Sequence, residues 1–560
     1  MRIALAQINA VVGDLPGNSR IILSRVDQAK VAGADLVIFP ELALTGYPPE
    51  DLLLKPQFIK DTAAHLKALA RQITDLPCVI GHVEQGPRQT LFNSAAVIEN
   101  RRIKGSYHKR CLPNYSVFDE KRYFVPGNEN LILDLGGYRV GLTICEDIWE
   151  EKGPVDEYAR LKPDLLVNLS ASPYFVGKIH ARHRMGTRWA RLCRASVAYC
   201  NLVGGQDELV FDGGSFAMTS SGRLIASAPQ FEENLLVVDL PVQSGRKSRT
   251  HPKAPTLRLS KPNPRLKPQL NSRTIGPLKP VEEIYRALVL GTRDYVQKNG
   301  FGTVALGLSG GIDSALVAAL AVEALGKDRV VAVTMPSPYT SSETFKDSQA
   351  MADNLGIRLM TLPIENVFKG FLGALSESFE GRTPDITEEN LQARIRGALL
   401  MALSNKFGWL ILTTGNKSEI STGYCTLYGD TAGGFAIIKD VPKTMVYQLS
   451  LFFNTLHGRE IIPASIITRP PTAELKLNQK DQDTLPPYDL LDKIIKGYVE
   501  EDRPVSELIR SGLDETVVRQ TVRMIDASEY KRRQAPPGIK ITSKAFGKDR
   551  RVPITNLYRP

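Results

Sequence analysis

Short runs of apolar and β-branched residues alternate, over the first 240 residues, with longer segments in which apolar positions recur every three to four residues. The runs predict β-strands, and the periodic segments predict amphipathic helices. The predicted strands span residues 1–8, 34–40, 78–83, 93–99, 139–145, 164–170 and 196–203. The predicted helices span residues 18–33 and 58–73. This density of strands indicates two sheets packed together.

The same alternation returns in the last half of the chain. Strands are predicted over residues 303–309, 329–336 and 358–364, with helices over 314–326 and 343–356. One strand followed by one helix, repeated, is typical of a parallel, doubly wound sheet. Both halves of the chain are therefore predicted to be α/β.

The periodic pattern stops between these halves, in a proline-rich segment over residues 241–280. Ten Lys or Arg residues and no acidic residue fall there, at positions 246, 247, 249, 253, 258, 261, 265, 267, 273 and 279. A chain of 560 residues exceeds what one hydrophobic core supports, which is about 300 residues. We therefore predict a domain over 1–240, a basic linker over 241–280 and a second domain over 281–560.

The net charge of +11 comes almost entirely from this segment, so the rest of the chain is close to neutral. A solvated linker explains that distribution better than an RNA-binding arm does, although the cations could also attract an anionic substrate. No apolar stretch approaches the roughly 18 residues of a membrane helix. Six cysteines without a CxxC pair are typical of a reducing compartment, so we expect a cytoplasmic protein without nucleic-acid or membrane partners.

A phosphate-binding loop is predicted where the strand over 303–309 meets the helix that follows it. The sequence there is Ser309-Gly310-Gly311-Ile312-Asp313-Ser314. Two adjacent glycines let backbone N–H groups approach an anion, and the helix N-terminus adds partial positive charge. The acid in this loop would repel phosphate unless a divalent cation bridged the two, which indicates Mg²⁺. The lysine of a GxxxxGK[ST] loop is missing.

The order strand, SGG, Asp, Ser, helix resembles the pyrophosphate loop of ATP pyrophosphatases, which have an adenine nucleotide alpha hydrolase-like fold and form acyl adenylates. The segment over 410–440, LILTTGNKSEISTGYCTLYGDTAGGFAIIKD, is similar to that of NAD synthetases. The resemblance implies ATP contacts from Gly307, Leu308, Ser309, Gly310, Gly311, Ile312, Asp313, Ser314, Thr414, Lys443 and Thr472. It implies deamido-NAD⁺ contacts from Asn390, Glu419 and Lys531, and Mg²⁺ held by Asp313 and Glu419. Leu427 stands where ammonia-dependent members have Lys, so we assign no contact there.

Three predicted strand ends in the first half each carry a reactive group: Glu41, Lys109 and Cys145. A cysteine at a sharp strand–helix turn exposes its sulfur, as in a nucleophile elbow. A free thiol has a pKa near roughly 8.5, so it needs a base or a cation to attack at neutral pH. Glu41 can be that base, and Lys109 can stabilise the oxyanion.

The pattern PEL, HK and CED, in this order, resembles the Glu-Lys-Cys triad of the nitrilase superfamily, whose members cleave amides and nitriles through a thioester. The resemblance covers residues 1 to about 240 and implies an α-β-β-α sandwich. In NAD synthetase members it further implies that Tyr115, Ser172 and Lys178 bind glutamine. Glu120 is an additional candidate acid.

Together the two resemblances imply a glutamine-dependent NAD⁺ synthetase, a ligase. Such an enzyme would use glutamine, ATP and deamido-NAD⁺, pass ammonia between its sites, and assemble as a homo-oligomer. One alternative is another ATP-dependent amidase–ligase fusion that acts on a different acid. A tRNA-modifying or RNA-binding protein is less favoured, because only Cys425 follows the linker and RNA thiolation needs a cysteine pair.

Overall fold

The computed structural model describes residues 1–241, 254–262, 267–270, 274–472, 474–476, 479 and 481–558. The chain divides into two compact units, Met1–Gln206 with Val210–Leu278, and Asp207–Leu209 with Lys279–Pro560. Each unit has its own buried apolar clusters, so each is described by itself.

Two large sheets, one two-stranded sheet and four α-helices form the described part of the first unit. The strands are β1 (Arg2–Gln7), β2 (Leu36–Ile38), β3 (Cys78–Gln85), β4 (Leu91–Glu99), β5 (Arg102–His108), β6 (Ile132–Leu135), β7 (Tyr138–Ile144), β8 (Leu165–Ser170), β9 (Ser196–Asn201), β10 (Val203–Gln206), β11 (Leu209–Asp212), β12 (Phe216–Met218), β13 (Leu224–Ser227), β14 (Asn234–Asp239) and β15 (Thr256–Leu259). The helices are α1 (Leu15–Val31), α2 (Pro56–Gln72), α3 (Pro154–Leu161) and α4 (Lys178–Cys193).

The larger sheets of this unit have the strand orders β14-β1-β2-β3-β4-β5 and β13-β12-β9-β8-β7-β6-β15. Their facing sides share one apolar core, to which Leu5 and Ile38 contribute from the first sheet and Leu142 and Val167 from the second. Helices α1 and α2 contact the first sheet, while α3 and α4 contact the second. The layers are therefore α-β-β-α, and the prediction of two packed sheets is confirmed.

The basic segment over 241–280 is not a linker throughout, contrary to the sequence prediction. Its residues Thr256–Leu259 form β15, which pairs in parallel with β6. Lys267 donates from Nζ to Asp35 at 2.5 Å, so part of the segment is tied to the first unit. The short apolar alternation of β15 was hidden among prolines and cations. Positions 246, 247, 249, 253, 265 and 273 lie outside the described residues.

The second unit is built on a parallel sheet. Its described strands are β16 (Val304–Gly307), β17 (Val330–Thr334), β18 (Arg358–Thr361), β19 (Leu410–Thr413) and β20 (Phe435–Ala436). Its described α-helices are α5 (Pro280–Lys298), α6 (Ile312–Leu325), α7 (Ser342–Leu355), α8 (Glu365–Leu375), α9 (Ile386–Phe407), α10 (Lys417–Thr422), α11 (Lys443–His457), α12 (Ala464–Thr468), α13 (Tyr488–Ile495), α14 (Val505–Arg510), α15 (Glu515–Ala527) and α16 (Glu529–Arg532).

The strand order of this sheet is β18-β17-β16-β19-β20, and every pairing is parallel. The order reverses at β16, which lies between β17 and β19. Ligands bind doubly wound sheets outside the carboxyl ends of the strands at such a reversal. The doubly wound fold is confirmed, and it puts the glycine-rich loop after β16 at the expected position.

All six cysteines lie among the described residues, and all six are free thiols. Across the described part of the chain, no helix combines the length and the apolar character that crossing a membrane requires. The cysteines are therefore available as thiols, and five of them need only a packing role if Cys145 is the nucleophile.

Candidate active sites

The ends of three strands bring Glu41, Lys109 and Cys145 together in the first unit. Lys109 directly follows β5, Cys145 directly follows β7, and Glu41 lies shortly after β2. Their exposed fractions are 0%, 1% and 3% for Glu41, Lys109 and Cys145. Because charged groups are rarely buried without a partner, the hydrogen bonds of this cluster decide what it can do.

Lys109 lies between two buried carboxylates. Its Nζ donates to Glu41 Oε1 and to Glu120 Oε1, each at 2.7 Å, and Tyr47 donates its hydroxyl to Glu120 Oε1 at 2.9 Å. Burial lowers the pKa of Lys109, but Glu120 and Glu41 outweigh it and hold the pKa well above its ordinary value. Lys109 is therefore charged at neutral pH, and the additional candidate acid Glu120 lies in the same cluster.

The two oxygens of Glu41 have different partners. Oε1 accepts from Asn93 Nδ2 at 2.7 Å as well as from Lys109. Oε2 accepts from the backbone N–H of Ala171 at 3.0 Å. Each carboxylate oxygen has two acceptor positions, so Oε2 keeps one that no described group fills. Oε2 is therefore the oxygen of Glu41 that can receive a proton.

Cys145 occupies a strained turn. Its φ is +39°, in the left-handed region that non-glycine residues rarely adopt, and a short 3₁₀-helix begins with it. Burial, followed by the charge of Glu41, raises the pKa of the thiol well above its ordinary value, and Lys109 opposes this. The resting group is thus a thiol, which needs a base before it can attack.

Lys178, one of the predicted glutamine ligands, begins α4 beside two aromatic rings. Its Nζ lies 4.3 Å from the ring centre of Trp149 and 4.8 Å from that of Phe175. Burial, with a smaller contribution from Arg182, lowers the pKa of Lys178 to about 8. Cys145 and Glu146 act electrostatically on this pKa, so the ammonium group lies near the nucleophile.

The other predicted glutamine ligands approach the same nucleophile from different elements. Tyr115 donates its hydroxyl to Glu146 Oε1 at 2.9 Å, next to Cys145 in the chain. Ser172 follows β8 and is buried, and its carbonyl accepts from Arg182 Nη2 at 2.8 Å. The structure therefore brings a hydroxyl, a phenol and an ammonium group to one region, which suits an amino-acid substrate.

In the second unit, the loop between β16 and α6 has the backbone of an anion cradle. Gly310 has a φ of +80°, and a Cβ there would lie 2.3 Å from the carbonyl oxygen of Thr344, so the position requires glycine. The Ser309 hydroxyl accepts from the backbone N–H of Gly311 at 3.3 Å, and Ser314 donates to the Gly311 carbonyl at 3.0 Å. Both hydroxyls predicted as ligand donors thus stabilise the loop itself.

One cavity of about 420 Å³ lies at the carboxyl ends of these strands. Every predicted ATP and deamido-NAD⁺ contact lines it, and these are Gly307, Leu308, Ser309, Gly310, Gly311, Ile312, Asp313, Ser314, Asn390, Thr414, Glu419, Lys443, Thr472 and Lys531. Leu427, left unassigned, is not among the described lining residues. The structure brings the fourteen positions together, while the role of each one stays a prediction.

One lysine in this cavity lies beside two carboxylates. Lys443 donates from Nζ to Asp313 Oδ2 and lies 3.6 Å from Glu419 Oε1. Burial, followed by repulsion from Asp313, raises the pKa of Glu419, and Lys443 opposes this shift. Two carboxylates therefore share one cation, and their oxygens are the donors that Mg²⁺ prefers. Among the described residues no group of three or more His, Cys, Asp or Glu forms a complete metal site.

Other predicted contacts are held by the protein itself. Asn390 Oδ1 accepts from the Thr426 hydroxyl at 2.7 Å. Lys531 donates from Nζ to the carbonyls of Gly423 and Cys425, at 2.7 and 2.9 Å. These bonds orient both side chains on the cavity wall. The Lys531 ammonium group still has one of its three donors for a ligand, among the bonds that the described residues make.

Sequence reasoning missed Arg396, which also lines the cavity. Its Nε donates to the Met335 carbonyl at 3.1 Å, and burial lowers its pKa to about 10. Ala393, Arg396, Gly397 and Leu400 line the cavity with helical spacing, so they mark one face of α9. A single Arg in a stripe of small and apolar residues was the available signal.

These sites define a class of protein: a cysteine amidase of the carbon–nitrogen hydrolase type, joined to a nucleotide-binding parallel-sheet unit. The family models "Carbon-nitrogen hydrolase" and "NAD synthase" match residues 2–250 and 284–535. The glutamine-dependent NAD(+) synthetase of Thermotoga maritima is 48% identical, with 100% of this chain and 99% of the relative covered. The Acinetobacter baylyi enzyme of that name is 44% identical, with 100% of this chain and 99% of the relative covered. This chain belongs to the family of glutamine-dependent NAD(+) synthetases.

Solved structures agree with this assignment. The Acinetobacter baumannii glutamine-dependent NAD⁺ synthetase, in complex with ADP, is 41% identical with a TM-score of 0.77, covering 99% of this chain and 98% of that one. The synthetase from Cytophaga hutchinsonii has a TM-score of 0.82 at 22% identity and supports the fold alone. The predicted family and fold class are confirmed.

Proposed function

We propose that this chain hydrolyses L-glutamine in its first unit and uses the ammonia to amidate deamido-NAD⁺ in its second. The products are NAD⁺, AMP, pyrophosphate and glutamate, so the enzyme is a carbon–nitrogen ligase with glutamine as amido donor. The observation that carries the proposal is the presence, in one chain, of the buried Glu41-Lys109-Cys145 cluster and of the nucleotide cavity after β16. The names of its relatives support the same reaction.

Glutamine hydrolysis begins with a proton transfer inside the first cluster. Glu41 takes the thiol proton on Oε2 while Cys145 Sγ attacks the side-chain amide carbon. The carbonyl oxygen becomes an oxyanion next to Lys109, which has one donor left after its bonds to Glu41 and Glu120. Glu41 then returns the proton to the leaving nitrogen, and the tetrahedral intermediate breaks its C–N bond, which releases ammonia and leaves a thioester on Cys145. Water, activated by Glu41, hydrolyses the thioester and releases glutamate.

Substrate selection in this unit falls to the residues around the thiol. Lys178, charged below a pH of about 8, attracts the α-carboxylate of glutamine. Tyr115 and Ser172 supply neutral hydrogen-bonding groups for the rest of the amino acid. Glu120 helps Glu41 to hold Lys109 in place, because both carboxylates accept from the same ammonium group.

Deamido-NAD⁺ activation takes place in the second cavity. The nicotinate carboxylate attacks the α-phosphorus of ATP, which gives an adenylate and pyrophosphate, and ammonia then displaces AMP. The loop N–H groups would bind the β- and γ-phosphates, and Lys443, which lines the same cavity, would add a positive charge there. Asp313 and Glu419 would hold Mg²⁺, whose chemistry is to neutralise phosphate charge during adenylation. The shared charge of these two carboxylates supports that assignment.

We further propose a cytoplasmic homo-oligomer that works without nucleic acid. Six free cysteines support a reducing compartment, and the oligomer follows from the family resemblance. Analytical ultracentrifugation tests the assembly, because a single species at the chain mass of 61.8 kDa contradicts it.

Product analysis tests the reaction. Purified protein is incubated with ATP, deamido-NAD⁺ and glutamine, and NAD⁺, AMP, ADP and glutamate are quantified. Equal amounts of NAD⁺ and AMP are expected, with no ADP. Formation of ADP, or amidation that ignores deamido-NAD⁺ in favour of another acid, contradicts the proposal.

A further inference from the structure

One buried carboxylate joins the chain segments that carry Lys109 and Cys145. Asp147 lies two residues after Cys145, and its exposed fraction is 0%. Its Oδ1 accepts from the backbone N–H groups of Arg110 and Cys111, at 3.0 and 2.8 Å. The first oxygen of Asp147 is therefore bound to the loop that begins with Lys109.

The second oxygen of Asp147 accepts hydrogen bonds from residues that precede Lys109 and Cys145 in the chain. Asp147 Oδ2 accepts from the backbone N–H of Ile144 at 2.9 Å and from the hydroxyl of Tyr107 at 2.7 Å. Tyr107 lies two residues before Lys109 on β5, and Ile144 is the last residue of β7. One carboxylate thus spans the two segments and fills its four acceptor positions with four donors.

We propose that Asp147 is a positioning residue of the amidase site, which fixes the Lys109 ammonium group relative to the Cys145 sulfur. The inference rests on the proposed function, because it assumes that these two groups react with one substrate. Cys145 has a φ of +39°, and a strained residue keeps such a conformation only where its surroundings enforce it. The bond from Ile144 to Asp147 restrains the backbone immediately before that strained turn.

The geometry also explains why a carboxylate stands at this position. A neutral amide offers one oxygen with two acceptor positions, so asparagine can serve at most two of the four donors. The remaining N–H groups would then face the donor end of the amide. Catalytic groups misplaced by about 1 Å can lose on the order of 10² in rate, even when substrate binding survives.

Asp147→Asn tests the proposal, with Asp35→Asn as the matched control. Asp35 is also buried in the first unit and accepts from the backbone N–H of Arg2 at 2.7 Å, but it contacts none of the reactive residues. Glutaminase kcat and KM, ammonia-supported NAD⁺ synthesis and melting temperature are measured for both. For Asp147→Asn we expect glutaminase kcat to fall on the order of 10²-fold, with KM for glutamine and ammonia-supported synthesis unchanged. Asp35→Asn should keep its kcat.

Tyr107→Phe decides the matter if Asp147→Asn does not fold. It removes one donor and keeps the ring, so kcat should fall by about tenfold, the equivalent of one hydrogen bond to a charged group. The proposal is overturned if the variants that fold keep normal kcat. It is equally overturned if Asp35→Asn loses as much kcat, or if ammonia-supported synthesis falls in parallel, because both results indicate general damage.

A parallel assay of Cys145→Ala separates this inference from the proposed function. Glutamine hydrolysis by Cys145→Ala contradicts the proposed function, and the positioning role fails with it. An inactive Cys145→Ala together with a fully active Tyr107→Phe and Asp147→Asn contradicts the positioning role alone.

Discussion

The two candidate sites each contain one lysine shared by two carboxylates, but the two clusters have different surroundings. In the first unit Lys109 lies 2.7 Å from both Glu41 and Glu120, and all three are buried. In the second unit Asp313 and Glu419 share Lys443 on the wall of a cavity of about 420 Å³. The first cluster is therefore enclosed by protein, whereas the second lines the cavity that would receive the nucleotide and a cation.

This difference corresponds to the substrates. Glutamine hydrolysis reacts one small amide, and every charge it develops can be met by a preorganised side chain. ATP carries several negative charges that no fixed set of buried groups could balance before the substrate binds. Activity lost through a substitution in the first site should therefore not be restored by any added solute. Activity lost through a substitution in the second site should depend on cation concentration.

The largest expected effect is that of Cys145→Ala. Because Cys145 is the nucleophile of the proposed mechanism, glutamine-supported NAD⁺ synthesis should fall below detection. Ammonia-supported synthesis should stay close to normal, because the nucleotide cavity belongs to the other unit. The measurement is NAD⁺ formation with glutamine or with ammonium chloride, alongside a melting curve. A folded variant that ammonium fails to rescue would show that the two sites are not separate.

Lys109→Met is the next in size. If the cation stabilises the oxyanion, glutamine hydrolysis should slow by a factor on the order of 10²–10³. The aliphatic stem is kept, but Glu41 and Glu120 lose their shared partner, so the melting temperature must be measured too. Normal glutaminase turnover would remove Lys109 from the mechanism. Early melting with loss of ammonia-supported synthesis would make its role structural.

Asp313→Asn tests the proposed Mg²⁺ site in the cavity of the second unit. Removing one proposed Mg²⁺ ligand should reduce NAD⁺ synthesis from both nitrogen donors. The loss should be at least about 10- to 100-fold, which is the range for removing a hydrogen-bond partner of a metal ligand. Titration with Mg²⁺ should recover part of the activity, whereas Lys109→Met should not respond to it. Glutaminase activity should persist. A variant that forms adenylate at the normal rate and at normal Mg²⁺ would exclude Asp313 from the metal site.

Much of this comparison could be predicted from sequence, because local signals placed the reactive residues. The glycine-rich loop follows a buried strand and precedes an Ala- and Leu-rich helix, and the structure has β16, the loop and α6 in that order. Glu41, Lys109 and Cys145 were found as strand ends, although β2 and β5 belong to one sheet and β7 to the other. The strands and helices predicted over residues 303–364 match β16, α6, β17, α7 and β18, because each has a local apolar pattern.

The partners of those residues could not be predicted. Asn93 reaches Glu41 from β4, and Asp147 reaches Arg110 and Cys111 from the elbow after β7, contacts that only the packed sheets create. Helix α4 was missed because its apolar stripe is interrupted by cations, among them Arg182. Arg182 is buried against Asp212, and no local pattern reports that pairing.

The smallest expected effect concerns Lys178, a cation of the first site whose charge changes just above neutral pH. Burial lowers its pKa to about 8, so the ammonium group is present below that pH and lost above it. Glutaminase kcat/KM reports groups of the free enzyme, and we expect it to fall by about tenfold per pH unit above about 8.

Lys178→Arg and Lys178→Met separate this titration from all others. A guanidinium keeps its charge at these pH values and can still stack on Trp149, so Lys178→Arg should lose the alkaline fall while keeping activity near neutral pH. Lys178→Met should have a low glutaminase kcat/KM at every pH. KM should rise more than kcat falls, because a charge that binds the substrate has been removed. Ammonia-supported synthesis is the control and should follow one pH profile in all three proteins. If Lys178→Arg shows the same alkaline fall as the unmodified chain, the titrating group is another one, and the first site would have no pH-sensitive binding charge at Lys178.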